Sequence, residues 1–171
     1  MKKVLLLIIS VLFAIQANAQ VQEESPAVTI DSLSTKLAKL QHNYNFLYCD
    51  YKLYQIKTDL NQLSQDIKIT VSEFNIDIHH ERYNHDLYTA YSDNYDSYCD
   101  LYDSYKRNFE SLRELVTIKT ITTDFTEPEL NLFNSYIETI ESSMEFVESN
   151  LELYDLCLKI YKDKRWRYSW E

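Results

Sequence analysis

The 171-residue sequence contains no glycine. Loops that cradle phosphates or dinucleotides need glycine so that backbone N–H groups can approach the ligand. The nucleophile elbow and the tight turns of hairpin-rich sheets also want residues at positive φ. The absence speaks against a Rossmann domain, a P-loop, an α/β-hydrolase and a hairpin-rich β-barrel. Proline is nearly missing as well, with only Pro26 and Pro128, so little in the chain interrupts long helices. Positive charge is scarce: 17 Lys and Arg stand against 27 Asp and Glu, a formal net charge of −10. Nucleic acid wants a basic footprint for its phosphates, so it is not expected as a partner.

Long apolar runs are confined to the first residues. Lys2 and Lys3 precede a mostly apolar run over residues 4–15, and Ala17-Asn18-Ala19 forms a small-x-small site followed by Gln20. That is the pattern of a secretory signal. The run falls short of the about 20 residues that a membrane span needs, and no cysteine follows it to take a lipid. The expectation is a cleaved signal peptide over residues 1–19 and an exported mature chain, periplasmic or extracellular, with no transmembrane segment. Cleavage removes two lysines and no acid, which takes the formal charge from −10 to −12.

Beyond a leader expected to be flexible over residues 20–29, the apolar spacing is helical. Leu130, Phe133, Ile137, Ile140, Met144, Val147, Leu151, Tyr154, Leu158 and Tyr161 fall at alternating steps of three and four, a coiled-coil-like stripe. Thr126 and Glu129 form the capping-box pair Thr-x-x-Glu, Pro128 sits in the first turn, and Phe125 and Leu130 are spaced as a hydrophobic staple. The middle of the chain repeats the rhythm with rings: Tyr88, Tyr91, Tyr95, Tyr98, Tyr102, Tyr105, Phe109, Leu112 and Val116. The first third carries two overlapping frames. One is Leu33, Leu37, Leu40, Tyr44, Leu47, Tyr51 and Tyr54; the other is Cys49, Leu53, Ile56, Leu60, Leu63 and Ile67.

These patterns predict an all-α fold: an elongated up-down-up three-helix bundle with coiled-coil-like packing, a single domain over residues 30–171. Helices are expected near residues 31–67, 72–116 and 127–165. The first turn is placed between residues 67 and 77, where Ile67, Ile69, Thr70 and Val71 are β-branched and Thr70 and Glu73 repeat the capping-box spacing. So thin a bundle is a candidate for burying more surface in a homo-oligomer.

Five features could carry function. The tyrosine stripe (Tyr88, Tyr91, Tyr95, Tyr98, Tyr102 and Tyr105) reads foremost as a core seam whose hydroxyls reach water or carboxylates at its edge, and secondarily as a ligand groove. His79, His80, Glu81 and His85 are candidate transition-metal ligands. The paired Glu-x-x-His of di-metal bundles is absent, so the preferred reading is a polar helix start and no cofactor is expected. Asp93, Asp96, Asp100 and Asp103 read as a solvated face, since one helix face cannot wrap Ca²⁺. Cys49, Cys99 and Cys157 give one cysteine per helix. Cys49 and Cys99 are the disulfide candidates if the first turn falls near residue 74, and a turn elsewhere takes them out of reach.

The C-terminus mixes Lys162, Lys164, Arg165 and Arg167 with Trp166, Tyr168 and Trp170. Such a basic-aromatic end is a candidate for docking on a protein partner or an envelope surface. No constellation of acid, base and nucleophile can be assembled, so the sequence reads as a non-enzymatic interaction or scaffolding module. A small ligand- or metal-binding bundle is the alternative.

Overall fold

The computed structural model describes residues 26–80, 83–122 and 125–167, and the side chains among them except those of residues 26–28, 78–80, 121 and 165–167. The signal-like residues 1–19 and the chain end from residue 168 onward lie outside that description. Among the described residues there are three helices: α1 (Pro26–His80), α2 (His85–Ile121) and α3 (Glu127–Arg167). The fold is an all-α three-helix bundle, as the spacing predicts. No described helix is long and apolar enough to cross a membrane.

The chain divides into two compact units, residues 1–41 and 42–171. In the first, α1 starts at Pro26, so residues 26–29, expected in a flexible leader, are helical. Proline suits that first position because its missing N–H would have no intrahelical partner. Ser34 and Thr35 both donate to the Asp31 carbonyl at 2.9 Å. Leu37 and Leu40 of the first frame are exposed there.

The second unit holds the three-helix core. Of the two frames in α1, the one starting at Cys49 is buried, and it continues through Val71 and Phe74. Tyr44, Leu47, Tyr51 and Tyr54 of the other frame stand in solvent. The two overlapping frames of the sequence are thus resolved: in this unit the frame starting at Cys49 faces the other two helices and the other faces outward. From α2 the core takes Tyr102, Phe109, Leu112 and Val116. From α3 it takes Phe133, Ile140, Val147, Leu151, Tyr154, Leu158 and Tyr161. The remaining members of both stripes, among them Tyr88, Tyr91, Tyr95, Tyr98, Tyr105 and Met144, are half-buried and pack against that core.

The first turn lies beyond the expected place. α1 runs unbroken through Ile67–Val71 and ends at His80. The β-branched residues are tolerated because burial outweighs their weak helix propensity: Ile67 and Val71 face the core. Thr70 does not cap a helix; its hydroxyl donates back to the Asp66 carbonyl at 3.0 Å and meets the Tyr98 hydroxyl at 2.9 Å. The cap of α2 is Asn84, whose side-chain oxygen accepts from the N–H groups of Asp86 and Leu87 at 2.9 and 3.3 Å. The start of α3 falls where expected, and half of the capping box forms: Glu129 accepts from the Thr126 N–H at 2.7 Å and from its hydroxyl at 2.8 Å. Phe125 is buried and packs edge-on against Phe133, 5.0 Å between centroids.

Cross-helix contacts fix direction and register. Thr70 meets Tyr98 and Asp77 meets Tyr91, so α2 runs back along α1. Ser143 meets Asn61, Asn150 meets Ser64 and Cys157 meets Asn75, so α3 runs parallel to α1. Those three α3 residues are seven apart. They form a polar row at the α1–α3 edge, where a shift of register would leave donors unpaired at a cost of about 1–3 kcal/mol each.

Candidate functional site

The tyrosine stripe is a seam. The hydroxyls of Tyr91, Tyr98 and Tyr102 find partners on neighbouring helices. Tyr91 donates to Asp77 Oδ2 at 2.7 Å, Tyr98 pairs with Thr70, and Tyr102 donates to Glu148 Oε1. Tyr154 of α3 donates to the Tyr91 carbonyl at 2.8 Å, and the Tyr161 hydroxyl accepts from the Asn84 N–H at 2.9 Å. The rings gather around Phe74, which stacks on Tyr91 at 4.2 Å and meets Tyr161 and Tyr154 edge-on at 5.4 and 6.1 Å. Edge-to-face and offset pairs are the favoured aromatic geometries.

Burial raises the phenols of Tyr91 and Tyr102 well beyond the ordinary range, and hydrogen bonds to Asp77 and Glu148 raise them further. Burial likewise raises Tyr154, and it pushes Tyr95 up to about 12. These hydroxyls stay un-ionised, those of Tyr91, Tyr102 and Tyr154 tie helices together, and such groups offer neither a base nor a nucleophile at neutral pH. Tyr105 borders an open groove of about 310 Å³ between α1 and α2, with Tyr48, Lys52, Gln55, Asp59 and Asn108 around it.

The cysteines are free. With Asp77 beside Tyr91 and Thr70 beside Tyr98, Cys49 comes level with residue 119, and the Lys119 charge is the one its thiol feels. Cys99 sits 20 residues from that level, roughly 30 Å along the helix axis. The Cys49–Cys99 disulfide is corrected on that ground: with the first helix running to His80 and the second starting at His85, the two lie apart. Burial raises all three thiols above their usual value, the opposite of what activates a nucleophilic cysteine.

Of the metal candidates, His79, His80 and Glu81 lie outside the described side chains. His85 is exposed, with its Nδ1 3.4 Å from the Tyr83 hydroxyl. Among the described residues no group of three or more His, Cys, Asp or Glu could hold a metal ion. Asp93, Asp96, Asp100 and Asp103 are all exposed on α2. Of the tail candidates, Lys162 is exposed and Lys164 half-buried, while the side chains of Arg165, Trp166 and Arg167, and all of Tyr168 and Trp170, lie outside the described residues.

One contact could not be foreseen from spacing along a helix. His42, without an acidic neighbour on its own helix, meets Glu129 at 3.1 Å across 87 residues and packs against Phe125 at 6.3 Å. Burial alone would raise the Glu129 carboxyl. The hydrogen bonds from Thr126 and the contact with His42 outweigh it and hold the group below its ordinary value.

What the arrangement offers to a partner is its outer surface. Tyr44, Leu47, Tyr51 and Tyr54 keep the heptad rhythm on the outside of α1, Tyr44 stacks with Tyr48 at 6.3 Å, and the Lys52 ammonium lies 6.0 Å from the Tyr51 ring. No protein-family model, no characterised protein and no solved structure matches the chain.

Proposed function

We propose that this chain is an exported, non-enzymatic helical interaction module of a bacterial-type cell envelope. The observation that carries this reading is the apolar frame Tyr44, Leu47, Tyr51 and Tyr54, exposed at heptad spacing on α1 while the second frame of the same helix is fully employed in the core. Contiguous exposed apolar surface of this kind marks interaction sites, and tyrosine supplies contact area at small entropic cost. Export rests on the sequence of residues 1–19, and the basic-aromatic tail around Trp166 and Trp170 is the second proposed contact. The un-ionised phenols and thiols of the core favour binding over catalysis. Tyr91, Tyr98 and Tyr102 of the middle helix offer less to a partner, because their hydroxyls are engaged inside the bundle.

The test is affinity capture with cross-linking from the native envelope, comparing the wild type with Tyr51→Ser/Tyr54→Ser and with Trp166→Ala/Trp170→Ala. All three keep the same helicity by circular dichroism. The expected result is a protein enriched by the wild type and lost, by about tenfold or more, from at least one variant, as when central aromatic anchors are removed. Enrichment that neither variant changes, or none with the wild type, refutes the reading.

A further inference from the structure

The outer side of α3 carries a second apolar seam, separate from the core and from the α1 frame. Leu132, Thr139, Phe146, Leu153 and Ile160 recur at every seventh residue. Ser135, Ser142, Ser149 and Leu156 fall three residues after the first four of them, which restores the three–four rhythm on the face turned away from the core. The large members stand in solvent: Leu132 is 38%, Phe146 61%, Leu153 47%, Leu156 52% and Ile160 49% exposed. The serines between them are exposed too, and their small side chains let a partner backbone come close. From Leu132 to Ile160 the seam runs about 42 Å at 1.5 Å per residue. A single solvated helix face has no need of a sustained apolar period, since scattered exposed residues are the ordinary case.

The two edges of this seam differ. On one edge Ser143, Asn150 and Cys157 are bonded to Asn61, Ser64 and Asn75 of α1, so that side is closed. On the other edge stand Glu138, Glu145 and Glu152, again seven apart and exposed. Their neighbours in the next row are already engaged: Glu141 pairs with Arg113 at 2.9 Å, Glu148 with Lys106 at 3.4 Å, and Asp155 with Lys159. Glu138, Glu145 and Glu152 make no ion pair with any described residue. The open edge is thus a row of three carboxylates with no cation among the described residues to answer them.

That charge decides the occupant. A second copy fits poorly. Laid antiparallel across Phe146, it would set Glu138 opposite Glu152 and Glu145 opposite Glu145, and like charges at flanking positions disfavour pairing. Laid parallel, it would drive the Glu row of one chain against α1 of the other. The chain's charge of −10 adds to the repulsion. We infer that the outer face of α3, from Leu132 to Ile160, is a docking site for an amphipathic helix of another protein, about four heptads long, with an apolar seam and Lys or Arg along the edge that meets Glu138, Glu145 and Glu152. This deepens the proposed function and rests on it, assigning one face and one chemistry of partner.

The experiment uses the mature chain and a synthetic peptide of about four heptads, with Leu and Ile at its seam and Lys at its flanks, followed by titration calorimetry at low and at physiological salt. Binding is expected at one peptide per chain, weaker at high salt, and absent for a control peptide with Glu at the flanks. Phe146→Ser/Leu153→Ser should raise Kd at least about tenfold, equivalent to about 1.4 kcal/mol. Glu138→Gln/Glu145→Gln/Glu152→Gln should raise it about three- to tenfold at low salt and less at high salt. Leu101→Ser, an exposed leucine of α2, should leave it within about twofold. Unchanged affinity in Phe146→Ser/Leu153→Ser overturns the inference. So does a dimer of the wild type that dissociates in that same variant, since the face would then serve self-association. If Tyr51→Ser/Tyr54→Ser instead abolishes peptide binding, the inference falls while the interaction-module reading stands. If no variant on any face changes it, both fall.

Discussion

Phe74→Ala lowers the free energy of unfolding by about 3–5 kcal/mol, the range for removing a fully buried phenylalanine from a packed core. Phe74 has no exposed surface and is the hub of the aromatic cluster, in contact with Tyr91 of α2 and with Tyr154 and Tyr161 of α3. The stacked Tyr91 pair and the edge-on Tyr161 pair add about 0.5–1.5 kcal/mol each beyond area burial. The cavity would be walled by rings whose hydroxyls are tied elsewhere, Tyr91 to Asp77 and Tyr154 to the Tyr91 carbonyl, so it cannot readily collapse. Against a typical total of about 5–15 kcal/mol, the loss is large. Urea denaturation followed by circular dichroism checks it, with Tyr54→Ala as the contrast: the ring of Tyr54 is exposed, and its removal should change stability by no more than about 0.5 kcal/mol. A cost for Phe74→Ala below about 1 kcal/mol would mean that the cluster does not hold the three helices together.

Ser72→Pro has the second large effect. Ser72 is exposed and lies well inside α1, eight residues before its end at His80. Proline there removes a helical hydrogen bond and clashes with the preceding turn, at about 3 kcal/mol or more. The kink would displace Ile67, Val71 and Phe74 on the core side, along with the Thr70–Tyr98 and Asp77–Tyr91 bonds. A connection at this point would accept the same substitution at little cost. Ser72→Pro therefore separates a helix that is continuous to residue 80 from one that turns between residues 67 and 77. A midpoint of urea denaturation within error of the wild type would contradict the continuous helix.

How much of this was legible follows from what kind of signal each feature leaves. The stripe from Leu130 to Tyr161 is unambiguous in the sequence because a single frame keeps its phase, and every member is buried or half-buried. The inward tyrosines of α2 were readable for the same reason, though not which carboxylates, Asp77 and Glu148, receive the hydroxyls of Tyr91 and Tyr102. In α1 two apolar frames compete, and local spacing does not say which meets α2 and α3. The hint lay in continuity, since Val71 and Phe74 prolong the Cys49 frame while nothing prolongs the other. The first turn was misplaced because a β-branched run was given more weight than the helical step it also keeps. Tertiary burial overrides so small a propensity, and Asn84, a strong N-cap residue, was the better marker. Without glycine there was no C-terminal signal to arbitrate. His42–Glu129 and the row from Ser143 to Cys157 were illegible because their partners lie more than 80 residues away. The second seam on α3 was present in the sequence, hidden by the stronger stripe on the same helix.

The account depends on the tyrosine rings lying inside the bundle, and a phenol titration tests this most directly. Burial raises the folded-state pKa of Tyr91, Tyr95, Tyr102, Tyr105, Tyr136 and Tyr154. Groups shifted in that direction contribute stability that is fully present below their unfolded value of about 10 and is lost as pH climbs toward the folded one. Phenolate absorbance and helicity are to be followed together from pH 8 upward at about 25 °C. The predicted result is helicity that holds to about pH 10, then a cooperative loss above it in step with a steep rise in phenolate. A single shallow titration of all fifteen tyrosines centred near their ordinary value, with helicity intact throughout, would contradict the structure's central seam.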